Sequence, residues 1–254
     1  MTESALHLYL WRHRLVLPGP AFDAGLHRHH AAQLSVALSG SLHVRGLPGA
    51  AWREATAFYV PPDMPHEFEA GGPSLMLYLD PEGVECERAC GTHGHGGVSV
   101  LARPDLPPAD LLGLARGDVG AAEATVASLL GQPGRHVLPR DVDPRIGRAL
   151  RWIHGHLDES VSLPRVADAA HVSESWLSHQ FADVIGVPLR RYVLWRRLRL
   201  AIESALQGAT LTEAAHDAGL SDSAHLTRAF RESFGVAPSL LFARRDAISA
   251  VFID

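Results

Sequence analysis

The chain contains no lysine; all 23 basic residues among its 254 are arginine. Part of that bias is genomic base composition, so no Arg is read as a phosphate contact on abundance alone. Cysteine is almost as scarce. Cys86 and Cys90 are the only two, which excludes a disulfide framework. No apolar run is long enough to cross a bilayer. The opening MTESALHLYLWRHRL carries its charges inside the apolar stretch and lacks a small-residue cleavage site, which argues against a secretory signal. These absences point to a cytoplasmic chain with no membrane partner. What is present is a 46% hydrophobic composition, enough at this length to build two cores in two domains.

The net charge of −5 is unevenly spread. Residues 1–143 hold 10 Arg against 16 Asp and Glu, whereas residues 144–245 hold 13 against 10. A mildly basic C-terminal half is weak evidence for nucleic acid, so the case rests on pattern. Residues 5–80 show short β-rich runs broken by Gly and Pro (LSVALSG, SLHVRG, TAFYVPP, SLMLYLD), which predict a small antiparallel sheet system or barrel. Residues 81–100 read as a polar, Gly-rich loop, 107–131 as helices, and QPGRHVLPRDVDP as a linker. From Pro144 the pattern is helical. The domains expected are 1–100, a helical segment and linker over 101–143, and 144–254.

In the third segment, Ile146, Leu150, Ile153 and Leu157 fall at helical spacing. Pro164 sits in the first turn of LPRVADAA. Ser173 can cap ESWLSHQFADVIG, which Gly186 ends. Two short helices joined by a tight turn make a helix-turn-helix, whose second helix enters the major groove. A second copy follows: Thr210 or Thr212 caps TEAAHDAG, Gly219 ends it, and Ser221 begins DSAHLTRAFRESFG. Both second helices carry a Leu/Phe anchor, Leu177/Phe181 and Leu226/Phe230, with one extra residue before the later pair. The opposite faces carry Ser175, Ser178 and His179 in one copy and Ser223, His225, Arg228 and Arg231 in the other, the polar groups that base edges and phosphates require. Trp176 lies at the start of the first such helix and can touch the DNA backbone. Residues 189–207 form one unbroken helix of roughly 28 Å, close to the ~34 Å between major-groove entries on one face of DNA.

With Leu163, Val166-Ala167, Ser173, Leu177-Ser178, Phe181, Gly186, Tyr192, Arg197-Leu198, Gly219, Ser221-Asp222, Phe230, Phe234-Gly235-Val236 and Pro238, residues 145–240 resemble the DNA-binding domain of the AraC/XylS regulators. Three positions depart from that pattern, Leu220, Leu241-Phe242 and His179, and they bear on target sequence rather than fold. The resemblance implies double-stranded promoter DNA and RNA polymerase as partners, activation more often than repression, and a homodimer formed through helices within 107–131. A bare helical bundle is the competing account, and the paired caps and duplicated anchors argue against it.

The stretch GLHRHHAAQLSVALSG resembles the first motif of the cupin superfamily, and VPPDMPHEF its second. Together they imply an α+β chain in which a cupin-like β-barrel precedes an all-α domain with two helix-turn-helix motifs. His27 and His29 share one face of a strand. With Gln33 and His66 they occupy the positions that hold metal in metal-binding cupins, and Gln33 stands where Glu is usual. Three imidazoles and an amide oxygen suit Zn, Ni or Fe. Binding only a small organic effector is the open alternative. His30 points the other way and reads as surface, and Asp63 replaces a Gly. Cys86, Cys90, His93 and His95 match no standard zinc spacing and read as a surface loop. Trp11 and Trp52 read as core, with stacking on a ligand as the alternative, and Trp152 and Trp195 as core. The expected activity is a non-enzymatic regulator controlled by a small molecule or a metal. A cupin enzyme such as a metal-dependent dioxygenase or isomerase is the rival class.

Overall fold

A computed structural model describes residues 6–131, 142–239 and 248–253. Residues 132–141 of the linker expected after Gly131, and the atypical Leu241-Phe242 pair, lie outside the described residues. The N-terminal elements are β1 (Leu6–Trp11), β2 (Arg14–Gly19), β3 (Asp23–His27), β4 (Ala32–Ala37), β5 (Leu42–Arg45), β6 (Arg53–Ala55), β7 (Ala57–Val60), β8 (His66–Ala70), β9 (Ser74–Leu79), α1 (Val84–His93) and β10 (Ser99–Leu101). They form two sheets, one ordered β10-β7-β4-β9-β2-β1-β11 and the other β3-β8-β5-β6. The cupin-like part is therefore a two-sheet sandwich rather than a closed barrel.

Strand β9 explains the layering. All six of its residues are buried, and alternate side chains leave by opposite faces. Met76 and Tyr78 join Phe58, Val60 and Phe68 between the sheets. Leu75, Leu77 and Leu79 pack outward against α1 and against α2 (Pro108–Leu114) and α3 (Val119–Leu130). The helices expected over 107–131 are present, and Asp118 caps α3 by accepting from the Ala121 N–H. The loop expected over 81–100 is instead helix α1 followed by β10. Cys86, Ala89 and Cys90 form its buried stripe, a pattern too short and too interrupted by Gly and His to read as a helix from sequence.

The C-terminal helices are α4 (Pro144–His154), α5 (Leu163–Ala170), α6 (Glu174–Ile185), α7 (Leu189–Leu206), α8 (Leu211–Asp217) and α9 (Ser223–Phe234). One core gathers α4–α6 with the start of α7. A second gathers the rest of α7 with α8 and α9, and also takes Leu8 and Leu10 of β1. The last element, β11 (Ile248–Ile253), pairs in parallel with β1 from Leu6↔Ile248 to Trp11↔Ile253. The 144–254 domain drawn from sequence therefore loses its final strand to the N-terminal sheet. Among the described residues no helix is long and apolar enough to cross a membrane.

Candidate nucleic-acid interface and histidine cluster

The two helix-turn-helix units form where the sequence places them. Ser173 caps α6 by accepting from the Trp176 N–H. Thr210 caps α8 in a reciprocal box with Glu213, which resolves the choice between Thr210 and Thr212. For α9 the cap is Asp222, which accepts from the His225 N–H at 2.6 Å, rather than Ser221. An ionised carboxylate at a helix start answers both the orphan N–H groups and the positive end of the dipole. Counting from the caps removes the apparent extra residue: Leu177/Phe181 and Leu226/Phe230 each stand four and eight positions on, and all four are buried.

The opposite faces are open. Ser175, Ser178 and His179 of α6 are exposed, as are Arg228 and Arg231 of α9, while Ser223 and His225 are half-buried. His179 donates through Nδ1 to the Ser175 carbonyl at 2.7 Å, and His225 Nδ1 lies 3.2 Å from Ser221 Oγ. Trp176 is half-buried beneath the Arg145 guanidinium, 3.9 Å above its ring. The cation thus sits beside the first recognition helix. Sequence reasoning missed Arg145, because nothing in its helix marks which neighbour it stacks on. Between the units, α7 is 18 residues long.

Sequence reasoning also missed what grips α7. The turn after β9 presents Asp80 and Glu82, both buried. Asp80 accepts from Trp195 Nε1 at 2.8 Å, Arg196 at 2.7 Å and Arg199 at 2.7 Å. Glu82 accepts from the Tyr192 hydroxyl at 2.9 Å, and His154 Nε2 lies 2.6 Å from that hydroxyl. Burial works to raise the Glu82 carboxyl, but the His13 hydrogen bond and the Arg196 charge hold it down to about 2. With His13 these carboxylates have the grouping of a cation site, yet the two guanidiniums already supply the positive charge. The one signal in the sequence is the excess of Arg on a helix that also carries Tyr192 and Trp195.

The four cupin-motif residues come together. His27, His29, Gln33 and His66 are all buried, and the three histidines offer ligand atoms within 4.8 Å of one another. Each imidazole faces a backbone carbonyl through Nδ1: His27 to Gly25 at 2.7 Å, His29 to Ala31 at 2.7 Å and His66 to Met64 at 2.9 Å. A carbonyl can only accept, so each Nδ1 carries the proton and each Nε2 is a bare lone pair. With the protons on Nδ1, His29 Nε2 and His66 Nε2 face another acceptor, Gln33 Oε1, at 2.7 and 3.1 Å, so these contacts are not hydrogen bonds, and the Gln33 amide nitrogen donates to Ser35 Oγ at 2.8 Å. His27 Nε2 is buried without a partner. Burial holds His27 down to about 3 and His29 down to about 4, and also keeps His66 well below the ordinary imidazole value. The cluster is neutral near pH 7.

Five other residues differ from expectation. His30 is buried rather than on the surface, because Asp63 pairs with its Nδ1 at 2.5 Å. Asp63 holds φ of 61°, the left-handed backbone that explains why a Gly is usual there, and it also reaches Arg191 of α7 at 3.3 Å. Cys86 and Cys90 are buried one turn apart on α1 instead of on a surface loop. The Tyr59 hydroxyl lies 3.1 Å from Cys90 Sγ, and the Cys86 hydrogen bond, more than the Tyr59 one, draws the Cys90 thiol down to about 6. Trp11 and Trp195 are buried, but Trp52 is exposed beneath Arg45 and Trp152 is half-buried against His156.

Comparison with known proteins agrees with this geometry. Residues 166–244 match the family described as "Helix-turn-helix domain". Over 110 residues the chain is 31% identical to the HTH-type transcriptional activator RhaS of Escherichia fergusonii, a stretch covering 42% of this chain and 39% of that protein. Over 92 residues it is 34% identical to the Right origin-binding protein of Escherichia coli, covering 36% and 32%. The matched stretch thus spans about two fifths or less of these relatives' own length. In structure the chain is similar to ToxT from Vibrio cholerae, with a TM-score of 0.58 at 10% identity, over 91% of this chain and 95% of that one. That likeness shows a shared two-part fold, sheet-rich N-terminal and helical C-terminal. Family match, relatives and geometry agree that residues 166–244 of this chain form a helix-turn-helix domain.

Proposed function

We propose that the chain is a sequence-specific DNA-binding transcription regulator that reads promoter DNA with α6 and α9 and takes its instruction from the N-terminal sandwich. The observation that carries this reading is the pair of capped helices whose Leu/Phe anchors are buried while Ser175, Ser178, His179, Arg228 and Arg231 face outward. At 1.5 Å per residue α7 separates the units by roughly 27 Å, near the ~34 Å repeat of major-groove entries. RNA polymerase is the partner that activation requires. A homodimer through α2 and α3 is consistent with the exposed Leu112 and Val119 on those helices. The relatives named as activators support activation over repression, and a cytoplasmic location goes with promoter binding. Fluorescence anisotropy with DNA from upstream of the chain's own gene tests the core of this reading: nanomolar, salt-sensitive binding supports it, and affinity no better than for unrelated DNA refutes it.

The effector is the second question. The solved ToxT structures include one bound to an unsaturated fatty acid, so a small organic effector is one reading for this sandwich. A divalent first-row cation is the reading favoured by a specific observation, the orphaned buried His27 Nε2 among three converging lone pairs. His27, His29 and His66, with Gln33 Oε1, would hold it, and backbone carbonyls already orient each ring as ligating histidines require. Bound there, the cation would supply positive charge to a neutral pocket. Elemental analysis of the purified protein and of His29→Ala checks this: stoichiometric metal lost in the variant supports it, and a metal-free wild type under zinc-replete growth refutes it.

A further inference from the structure

The C-terminal end of α9 rests on the strand that carries His27. The last carbonyls of a helix need donors from outside it, and here two come from the edge strand β3 and the residues after it. The Arg28 N–H donates to the Glu232 carbonyl at 3.0 Å, and the Gly25 N–H to the Gly235 carbonyl at 3.3 Å. Gly235 ends α9 with φ of 71°. It is also the point of closest approach: a Cβ there would collide with the Gly25 carbonyl and stand 2.7 Å from His27 Nδ1. That Nδ1 donates to the same Gly25 carbonyl. The backbone oxygen that accepts from the ring of a cluster histidine thus also lies in the space a side chain at the end of the second recognition helix would need. The register of β3 on β8 shifts between Ala24 and His27, the kind of irregularity that re-aims a side chain. Around the contact, Trp195 of the DNA-binding domain packs near His29 with the rings 6.3 Å apart, and Phe234 packs on Tyr78 at 6.1 Å, whose ring in turn stands 5.2 Å from that of His29.

The geometry points to Gly235, seated on Gly25–Arg28, as the positioning residue that carries the occupancy of the histidine cluster to α9. The inference rests on the reading above that a divalent cation binds His27, His29 and His66. An ion on His27 Nε2 restrains the ring, the ring holds the Gly25 carbonyl through Nδ1, and Gly25 and Arg28 hold the helix end. The coupling is reciprocal, so the placement of α9 on DNA alters affinity for the ion by the same factor.

The test uses the full chain and zinc chloride. Zinc stoichiometry is measured by calorimetry, and upstream-DNA affinity with and without zinc, for the wild type, Gly235→Ala and the zinc-null His29→Ala. The wild type is expected to bind one zinc and change its DNA affinity roughly 5- to 150-fold, the usual span of coupling between sites. Gly235→Ala, which wedges the helix end from the strand, is expected to keep one zinc but respond less than about twofold. Should that variant not fold, Arg28→Pro takes away the N–H reaching Glu232, while also fixing its own φ and restricting His27 to extended backbone, and is expected to keep one zinc and to respond as weakly. Zinc retained with an undiminished DNA response in these variants overturns the coupling route alone. So does zinc on the wild type with no DNA response. No zinc on the wild type overturns the cation reading, and this inference with it.

Discussion

Arg228 and Arg231 are the only basic side chains exposed on the recognition face of α9, whereas α6 offers hydroxyls and an imidazole. The two units therefore divide the work, with electrostatic attraction concentrated in the second. Replacing Arg228 by Ala is expected to weaken binding by ~1–3 kcal/mol if the guanidinium reads a base edge, with specificity relaxed at one position. If it pairs with phosphate, the slope of log affinity against log salt falls by about 1 instead. Anisotropy at several salt concentrations separates the two. Buried charges give a second residue-scale prediction. Asp80 is fully buried and Arg199 almost so, and removing one partner of such a pair costs ~3–5 kcal/mol because the other charge is left uncompensated. Asp80→Ala is expected to lower the denaturant midpoint accordingly, while Arg231→Ala leaves it unchanged. At this scale the sequence was legible wherever a residue's job is local. The cap Ser173 and the anchors could be named from spacing, Thr210 was one of two candidates, and the four cluster residues followed from the cupin resemblance. Asp80, Glu82, Arg145 and Gly235 could not, because their partners lie on other elements more than 30 residues away and no periodicity encodes that.

Among the elements, α9 shows why local signals sufficed for helices but not for every boundary. Either Ser221 or Asp222 satisfies a cap preference. The structure selects Asp222, whose carboxylate accepts from the His225 N–H at 2.6 Å. Phe230→Ala is expected to cost ~3–5 kcal/mol through the cavity it leaves, read as a loss of stability. Ser173→Ala is expected to cost about 1 kcal/mol and to weaken DNA binding through fraying of the first recognition helix. Helix α1 escaped the sequence reading because its buried stripe consists of two Cys and an Ala among Gly and His, poor helix formers whose conformation is set by packing on the sheet. Strand β11 escaped it for the converse reason: ISAVFI has the composition of a strand, but its partner β1 lies some 240 residues earlier.

Among the described residues the two domains meet at Asp80 and Glu82 on α7, at β3 beneath α9, and at β1 with β11 against the core of the second unit, with Asp63 adding a bridge to Arg191. His154 lies at the first of these. Burial, and secondarily Arg196, hold it down to about 4, against the opposing pull of Glu82. Its unfolded value near 6.5 is higher, so the unfolded state binds the extra proton between the two. The neutral ring's contribution is present above pH 6.5 and is lost as pH falls toward 4. His154→Gln is expected to flatten the fall in stability over that window, measured by denaturant titration at each pH. The fold class was legible in the sequence because both domains repeat local patterns. The closing of the sandwich into two sheets and the docking of the domains were not, because both depend on contacts between segments that carry no shared motif. The central claim is that α6 and α9 present their outward faces to one duplex from the two ends of α7. Hydroxyl-radical footprinting of the full chain on its upstream DNA tests it most directly. The account predicts two protected patches about one helical turn apart on one face of the duplex, with Arg228→Ala weakening one and Ser178→Ala or His179→Ala the other. A single patch that both sets of substitutions erase together, or protection on opposite faces, would contradict it.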